Sequence, residues 1–599
     1  MGGRSSGCAD GRPLHFLERH IIEKTAVGVH VKRYPLNDIE LLSDMRCLLE
    51  RSARLFSDKT AFAELSRSGE ANEVSYGCLL DDVRTLGTAL LARGYAGKRI
   101  ALIGENSYAW VLAYFAIINS GITVVPFDKE LSCDELVDQM MRSQVDALCH
   151  TAAYAQEALA AVEEVENRTG QRADLLAVGS LAGGALAPEL LSLGREELAR
   201  GNDRYAQVEL DAGAVCSILF TSGTTGTSKG VLLSHRNFTA NIKGACELVL
   251  FRPEDTLVSV LPIHHAYEDM AGIFCPLYYG CTVGLCPSPK ALPKCLASFR
   301  PTILCLVPLY VETFHGKIMR AVKEGKRERP FAFARAVSSL MRRMGIDVSD
   351  RLLAEPRAAF GGRLKLIVCG GASLDASYAP FYRSLGINLI KGYGVSECSP
   401  IVSVNRNEYY KDDAIGLVVS CAEVRFDDAG QIWVKGDLVM AGYLDEEDGG
   451  LVDGWFATGD LGYLDDDGFL YITGRCKDVI VLSNGKNVMP QEIEFALTAC
   501  ESIAEAVVIA GPEGGNGSEH LVAHVVPDYA ALGVDVDDPG RTEVVAERIR
   551  ADIKRVNRDL VYHKRLASFA LHADPFEKTT TRKIKRFLLK GNREGMRYV

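Results

Sequence analysis

From Arg99 to Cys149, apolar strand-like runs and helical runs take turns, and this alternation narrows the fold more than any other feature of the chain. Arg99-Ile100-Ala101-Leu102-Ile103-Gly104 reads as a strand, and Trp110 to Ile118 as an apolar helix that Asn106 is placed to cap. Ile122-Thr123-Val124-Val125-Pro126 returns as a strand, a helix over about 132–144 follows, and Ala147-Leu148-Cys149 begins another strand. Strands joined by helical crossovers pair in parallel, with helices covering both faces of the sheet, so the fold class is α/β. The most hydrophobic segment, Ala109 to Phe127, is broken by Asn119-Ser120-Gly121 and Pro126. It reads as helix then strand, not as a membrane span.

A second alternating block has strands near 256–260, 282–285, 303–307, 364–369 and 387–390. From about 415 the pattern changes to hairpins. Val424-Arg425-Phe426 and Ile432-Trp433-Val434 flank an Asp-Asp-Ala-Gly turn, and Phe469-Leu470-Tyr471-Ile472 follows Asp-Asp-Asp-Gly. After Gly474 the make-up shifts again, with helices near 490–499 and 541–560 and strands near 505–510 and 520–526. We expect a large domain over 1–474, of layered α/β subdomains plus a small β-barrel-like part, and a small α+β domain over 475–599.

Residues 221–230, Thr-Ser-Gly-Thr-Thr-Gly-Thr-Ser-Lys-Gly, carry three glycines, six hydroxyls and one lysine between two apolar runs, 215–220 and 231–235. Such a loop bends easily and aims hydroxyls and backbone N–H groups at one place, where Lys229 adds positive charge. Phosphate oxygens suit it. A flexible linker is the bland alternative, but linkers do not sit between buried strands. A Walker loop is excluded, because Lys229 stands three residues after Gly226 and is followed by Gly230.

The formal net charge of −11 argues against nucleic acid as a partner. Seventeen cysteines are scattered singly and cannot all pair; reduced thiols in a cytoplasmic protein are the simplest account. The first thirty residues show no apolar signal core, although Met1-Gly2 with Ser6 fits a myristoylation pattern. Residues 317–365 hold thirteen Lys/Arg against five Asp/Glu. A solvated helical face accounts for that excess; the functional alternatives are the phosphates of coenzyme A or peripheral contact with an anionic membrane.

The loop resembles the phosphate-binding signature of the adenylate-forming superfamily, and four further stretches in that family's order extend the resemblance over nearly the whole chain. They are Pro262-Ile263-His264-His265-Ala266-Tyr267-Glu268, Lys391-Gly392-Tyr393-Gly394-Val395-Ser396-Glu397, Thr458-Gly459-Asp460 and Gly474-Arg475-Cys476-Lys477-Asp478, with Lys583 near the C-terminus. The resemblance implies ATP, Mg²⁺ and coenzyme A as reactants and cofactor. Thr221, Ser222, Gly223, Thr224, Thr225, Gly226 and Lys229 would hold the β- and γ-phosphates, and Glu397 would carry Mg²⁺ against them. Tyr393, before Gly394, would stack on adenine, in a pocket lined by Gly370, Gly371 and Ala372. Asp460 would accept from the ribose hydroxyls and Arg475 would bind the same nucleotide; a turn residue and a surface ion pair are the bland alternatives. His265 would lie beside the acyl carboxylate and α-phosphate, with core packing as its alternative, and Ser396 keeps a hydroxyl where the family more often has Thr. The pair His264-His265 is not assigned to a metal, because the sequence places no third ligand.

Lys583 would bridge the attacking carboxylate and the α-phosphate. Arg582 stands where the family usually has Gly, so Lys578 and Lys585 remain rivals. Lys477 matches the hinge of the small domain, whose second orientation would present the loop at Gly485 to a thiol. Arg300-Pro301-Thr302, the basic insertion and 482–488 resemble the long-chain fatty acyl-CoA synthetase branch. The substrate implied is therefore a fatty acid. Coenzyme A is the implied acceptor, with acyl carrier protein as alternative; an aryl or other acid-CoA ligase and a non-catalytic nucleotide-binding protein are the other readings.

Overall fold

The computed structural model describes residues 35–179, 187–221, 228–446, 449–482, 486–511, 520–534, 541–578, 584–589 and 596–598. The alternating segment forms the middle of a seven-stranded sheet. Its order is Gly442–Tyr443, Lys229–Ser234, Val215–Thr221, Thr123–Pro126, Arg99–Ile103, Ala147–Thr151 and Asp174–Val178. From Val215–Thr221 onward every pairing is parallel. Lys229–Ser234 is antiparallel to Val215–Thr221, so the two strands flanking the Gly/Ser/Thr stretch are hairpin partners.

The apolar helix spans Tyr108–Ile118 and all its residues are buried, as expected of a helix packed between layers. Its cap is Ser107, whose side chain accepts from the Trp110 N–H, and not Asn106 as the sequence suggested. Asn106 instead donates to the Leu261 carbonyl at 2.7 Å and to Ser259 Oγ at 3.2 Å, tying this layer to the second sheet. Local pattern cannot separate adjacent capping residues when one of them has a distant partner. The next helix, Cys133–Ser143, begins with a full capping box between Ser132 and Glu135.

The second sheet has nine strands. Five expected strands, Thr256–Ser259, Thr282–Leu285, Ile303–Leu306, Leu366–Cys369 and Asn388–Gly394, pair in parallel, joined on one side by Thr60–Leu65. Antiparallel strands close both ends. The expected hairpins form a five-stranded antiparallel sheet, with Glu423–Phe426 on Gln431–Lys435 and Trp455–Leu464 on Leu470–Arg475. C-terminal to it, Ile503–Ala510, Leu521–Pro527, Leu566–Leu571 and Met596–Tyr598 make a four-stranded sheet. Its core contains Ile493 and Leu497 from the helix Pro490–Thr498 and Ile549 and Ile553 from the helix Arg541–Asp559.

The basic insertion forms the helices Pro308–Glu324 and Glu328–Arg343. No helix among the described residues is long and apolar enough to cross a membrane.

Candidate active site

Thr221, Gly370, Tyr393 and His265 end or follow the parallel strands Val215–Thr221, Leu366–Cys369, Asn388–Gly394 and Thr256–Ser259, where open α/β sheets offer a crevice. Thr221 ends one strand, and its hydroxyl lies 3.4 Å from the Lys229 carbonyl across the hairpin. Ser222, Gly223, Thr224, Thr225 and Gly226 lie outside the described residues, as do Gly485 and Lys583. The shoulder of the loop is held by a residue the motif does not contain. Arg142 donates to the Ser228 carbonyl at 2.7 Å and to Ser228 Oγ at 3.3 Å, and pairs with Asp445.

Asp445 belongs to a segment that crosses the loop because Gly442–Tyr443 adds to the sheet edge, with Tyr443 opposite Val231. A side chain on Gly230 would come within 3.0 Å of Leu444, so the glycine permits this crossing. The segment delivers Tyr443 and Glu446. The Lys229 ammonium pairs with the Glu446 carboxylate and stands 4.4 Å over the Tyr443 ring. The Tyr443 hydroxyl donates to Glu397 Oε1 at 2.8 Å. Burial, reinforced by the Glu397 charge, raises the Tyr443 phenol above its usual range, so it acts as a donor.

Glu397 sits in the short turn Ser396–Cys398, fixed by the Met440 N–H donating to its carbonyl at 2.8 Å. No Lys or Arg ion-pairs with it among the described residues. A carboxylate offering hard oxygen without a cation of its own suits Mg²⁺ shared with nucleotide phosphates.

Four residues upstream lies the second half of the site. The Tyr393 hydroxyl donates to Asp460 Oδ2 at 2.8 Å, and Asp460 Oδ1 accepts from Arg475 Nε at 2.8 Å. Asp460 is no turn residue: it lies inside a strand, 3 % exposed, directly opposite Arg475 in the antiparallel register. The ion pair allowed for Arg475 is therefore made, with Asp460 itself. Burial, then the Asp460 charge, lifts the Tyr393 phenol well above its ordinary value. Gly394 is required by the backbone, since a side chain there would strike the Pro400 carbonyl at 1.8 Å.

Gly370, Gly371 and Ala372 follow the end of Leu366–Cys369. The space beside Gly370 is taken by Tyr267, whose ring would be 3.1 Å from an added side chain and whose hydroxyl donates to the Val368 carbonyl at 3.0 Å. His265 is half-buried on the turn after Pro262, its ring centroid 4.2 Å from that of His264. Behind it Glu268 and Asp269 are buried, and burial pushes the Glu268 carboxyl up to about 8.

Lys477 lies in the turn Cys476–Asp478 that leaves the five-stranded sheet. On either side of 579–583 the chain pairs with itself: Lys578 bridges Ile584, and the Lys585 N–H donates to the Glu577 carbonyl at 2.9 Å. Lys578 is ion-paired with Glu505 at 2.6 Å, and Lys585 lies 3.6 Å from Glu577. Burial raises the Glu312 carboxyl against the opposing charge of Lys578, and Glu135, held low by its hydrogen bonds with Ser132, also feels the charge of Lys585.

Sequence reading missed Arg142, Tyr443, Asp445 and Glu446. The signal available was weak, an acidic tail on a Gly-Tyr pair, because their partners are 46 to 303 residues distant.

The family model described as AMP-binding enzyme matches residues 49–444, and that of the AMP-binding enzyme C-terminal domain matches 477–592. The long-chain-fatty-acid–CoA ligase FadD15 of Mycobacterium bovis is 29 % identical over 548 residues, covering 84 % of this chain and 88 % of that protein. Long-chain-fatty-acid–CoA ligase 5 of Rattus norvegicus is 27 % identical over 561 residues, covering 84 % and 80 %. Among solved structures, ATP-bound MatB from Rhodopseudomonas palustris superposes with a TM-score of 0.69 at 24 % identity, over 91 % of this chain and 98 % of that one. A fatty acyl CoA synthetase of Mycobacterium tuberculosis gives a TM-score of 0.61 at 21 % identity, over 92 % and 98 %.

Proposed function

This chain belongs to the AMP-binding enzymes, and on that premise we propose that it activates a long-chain fatty acid with ATP and passes the acyl group to coenzyme A. One observation carries the reading. Residues from five separate parts of the sequence form two linked polar groups, Lys229–Tyr443–Glu397 and Tyr393–Asp460–Arg475, joined through the segment 393–397. The first offers a cation and a hard carboxylate to a polyphosphate; the second offers an aromatic ring, a carboxylate and a guanidinium to a nucleoside. The names of relatives at 27–29 % identity support a long-chain acid and coenzyme A.

A carboxylate resists displacement because its leaving group would be oxide. Attack of the fatty carboxylate on the α-phosphorus of ATP releases pyrophosphate and leaves an acyl-adenylate. The coenzyme A thiolate then adds to the acyl carbonyl and AMP departs. Lys229, with Thr221 and Ser222 to Gly226, would orient the β- and γ-phosphates, which requires Lys229 to exchange Glu446 for phosphate. Glu397, aided by Ser396, would hold Mg²⁺, which supplies charge neutralisation to the phosphates when bound. Tyr393, with Gly370, Gly371, Ala372 and Gly394 around it, would take the adenine; Asp460 and Arg475 would take the ribose. His265 would stand at the carboxylate. Lys583 would bring the last cation from the small domain, which turns about Lys477 and then offers the loop at Gly485 to the thiol.

The test is fatty-acid-dependent exchange of labelled pyrophosphate into ATP, followed by thiol transfer to coenzyme A or to acyl carrier protein. Lys583→Ala should lower exchange by about 10²–10³ while sparing thioester formation from supplied acyl-adenylate, and Lys477→Pro should do the reverse. Equal slowing of both half-reactions by Lys583→Ala would contradict its role. ATP binding without acid-dependent exchange would favour a non-catalytic nucleotide-binding protein.

A further inference from the structure

The sequence offers His264 and His265 side by side with no third ligand, and the fold supplies one. Asp128 lies just beyond the strand Thr123–Pro126 of the first sheet, whereas the histidines lie beyond Thr256–Ser259 of the second. Where the two layers meet, one ligand atom from each of the three residues comes within 4.8 Å of the others.

The details favour a ligand over simple packing. His264 is 8 % exposed, and its buried Nε2 has no hydrogen-bond partner. That nitrogen faces Asp128 Oδ2 at 3.5 Å, too long for a hydrogen bond of normal strength. Asp128 Oδ1 is held by the Glu130 N–H at 2.9 Å, which keeps the carboxylate turned toward His264. Asp128 and His265 are both half-buried, so the cluster is reachable from solvent.

We infer that Asp128, His264 and His265 form an open three-ligand site for a borderline divalent cation of the zinc class. Two imidazole nitrogens and one carboxylate oxygen suit such an ion, whereas Mg²⁺ prefers all-oxygen surroundings such as those at Glu397. Bonds of about 2.0–2.2 Å to a tetrahedral ion put ligand atoms roughly 3.3–3.6 Å apart; His264 Nε2 and Asp128 Oδ2 already stand at 3.5 Å, and the other separations, all within 4.8 Å, have little to close on loading. Three protein ligands leave one position open to water or to a substrate carboxylate. Resting on the role proposed for His265, the site has a consequence: zinc withdraws that side chain from the fatty carboxylate and inhibits adenylation.

Cobalt(II) reports such a site by its visible d–d bands. Titration of the full chain should give bands saturating at one ion per chain and bleached by zinc. Asp128→Asn and His264→Gln should each weaken cobalt binding by at least about tenfold, and Lys229→Met should leave it unchanged. Because His264 is buried, its variant could fail to fold, and Asp128→Asn then carries the test after its thermal midpoint is matched to the parent's. Absence of bands, bands undiminished in Asp128→Asn, or an intense near-ultraviolet thiolate transition marking cysteine ligation would overturn the site. In parallel, added zinc should suppress pyrophosphate exchange in the parent and spare it in Asp128→Asn. Cobalt binding with exchange indifferent to zinc would overturn the inhibitory consequence, and absence of exchange in zinc-free buffer containing Mg²⁺ would strike the proposed function alone.

Discussion

The two halves of the crevice are built on opposite principles. Around Tyr393, Asp460 and Arg475 the polar groups are locked by strand register: Asp460 faces Arg475 across a hairpin and is buried. Around Lys229 they are held by ion pairs between half-exposed side chains, Lys229 with Glu446 and Arg142 with Asp445. A buried charge such as Asp460 is costly to strip of its partners even though Arg475 is 40 % exposed, whereas pairs exposed on both sides contribute little to stability. The end proposed for the nucleoside therefore belongs to the scaffold as much as to the site. The end proposed for the phosphates is free to exchange partners without unfolding anything.

Several substitutions break or sharpen that contrast. The largest effect is expected from Lys229→Met, which should lower pyrophosphate exchange by about 10²–10³ while the thermal midpoint moves by no more than about 2 °C. A larger drop in the midpoint would mean that the phosphate end is structural after all.

Glu268 tests burial without charge compensation. Its folded carboxyl titrates at about 8 against 4.5 ordinarily, because burial outweighs the lowering from Ser259. Between these values the folded protein keeps a proton the unfolded chain has lost, so the group's contribution is intact below about pH 4.5 and declines as pH rises toward 8. Relative to Glu268→Gln, the parent should lose on the order of 3 kcal/mol between pH 5 and 8 in denaturant titrations. A difference independent of pH would show that the acid is ionised in the fold.

Asp460→Ala should cost about 2 kcal/mol in unfolding free energy, since it strips both the Tyr393 hydroxyl and Arg475 of their partner, and should weaken ATP binding as well. Weakened binding with unchanged stability would erase the contrast with Lys229. The smallest effect is expected from Glu446→Gln. Removing a competitor worth at most about 1 kcal/mol should lower the KM for ATP by no more than about fivefold; a rise would instead make Glu446 part of the nucleotide site.

The sequence alone determined the layers and the chemistry-bearing stretches. Period-two and helical patterns are local, so the strands at 99–104, 122–126, 282–285 and 387–390 were legible, as were the hairpins after 415 and the helices of the C-terminal domain. The five motif stretches named the residues from Thr221 to Arg475 because each carries its chemistry in adjacent positions. Tertiary structure alone decided what those residues touch. Asn106 gave up the cap to Ser107 because its partners lie in another sheet, Gly370 makes room for Tyr267, and Asp460 meets Arg475 through register. Arg142, Tyr443, Asp445 and Glu446 enter the site by long-range pairing, and no local pattern encodes a partner that only the folded sheets bring near.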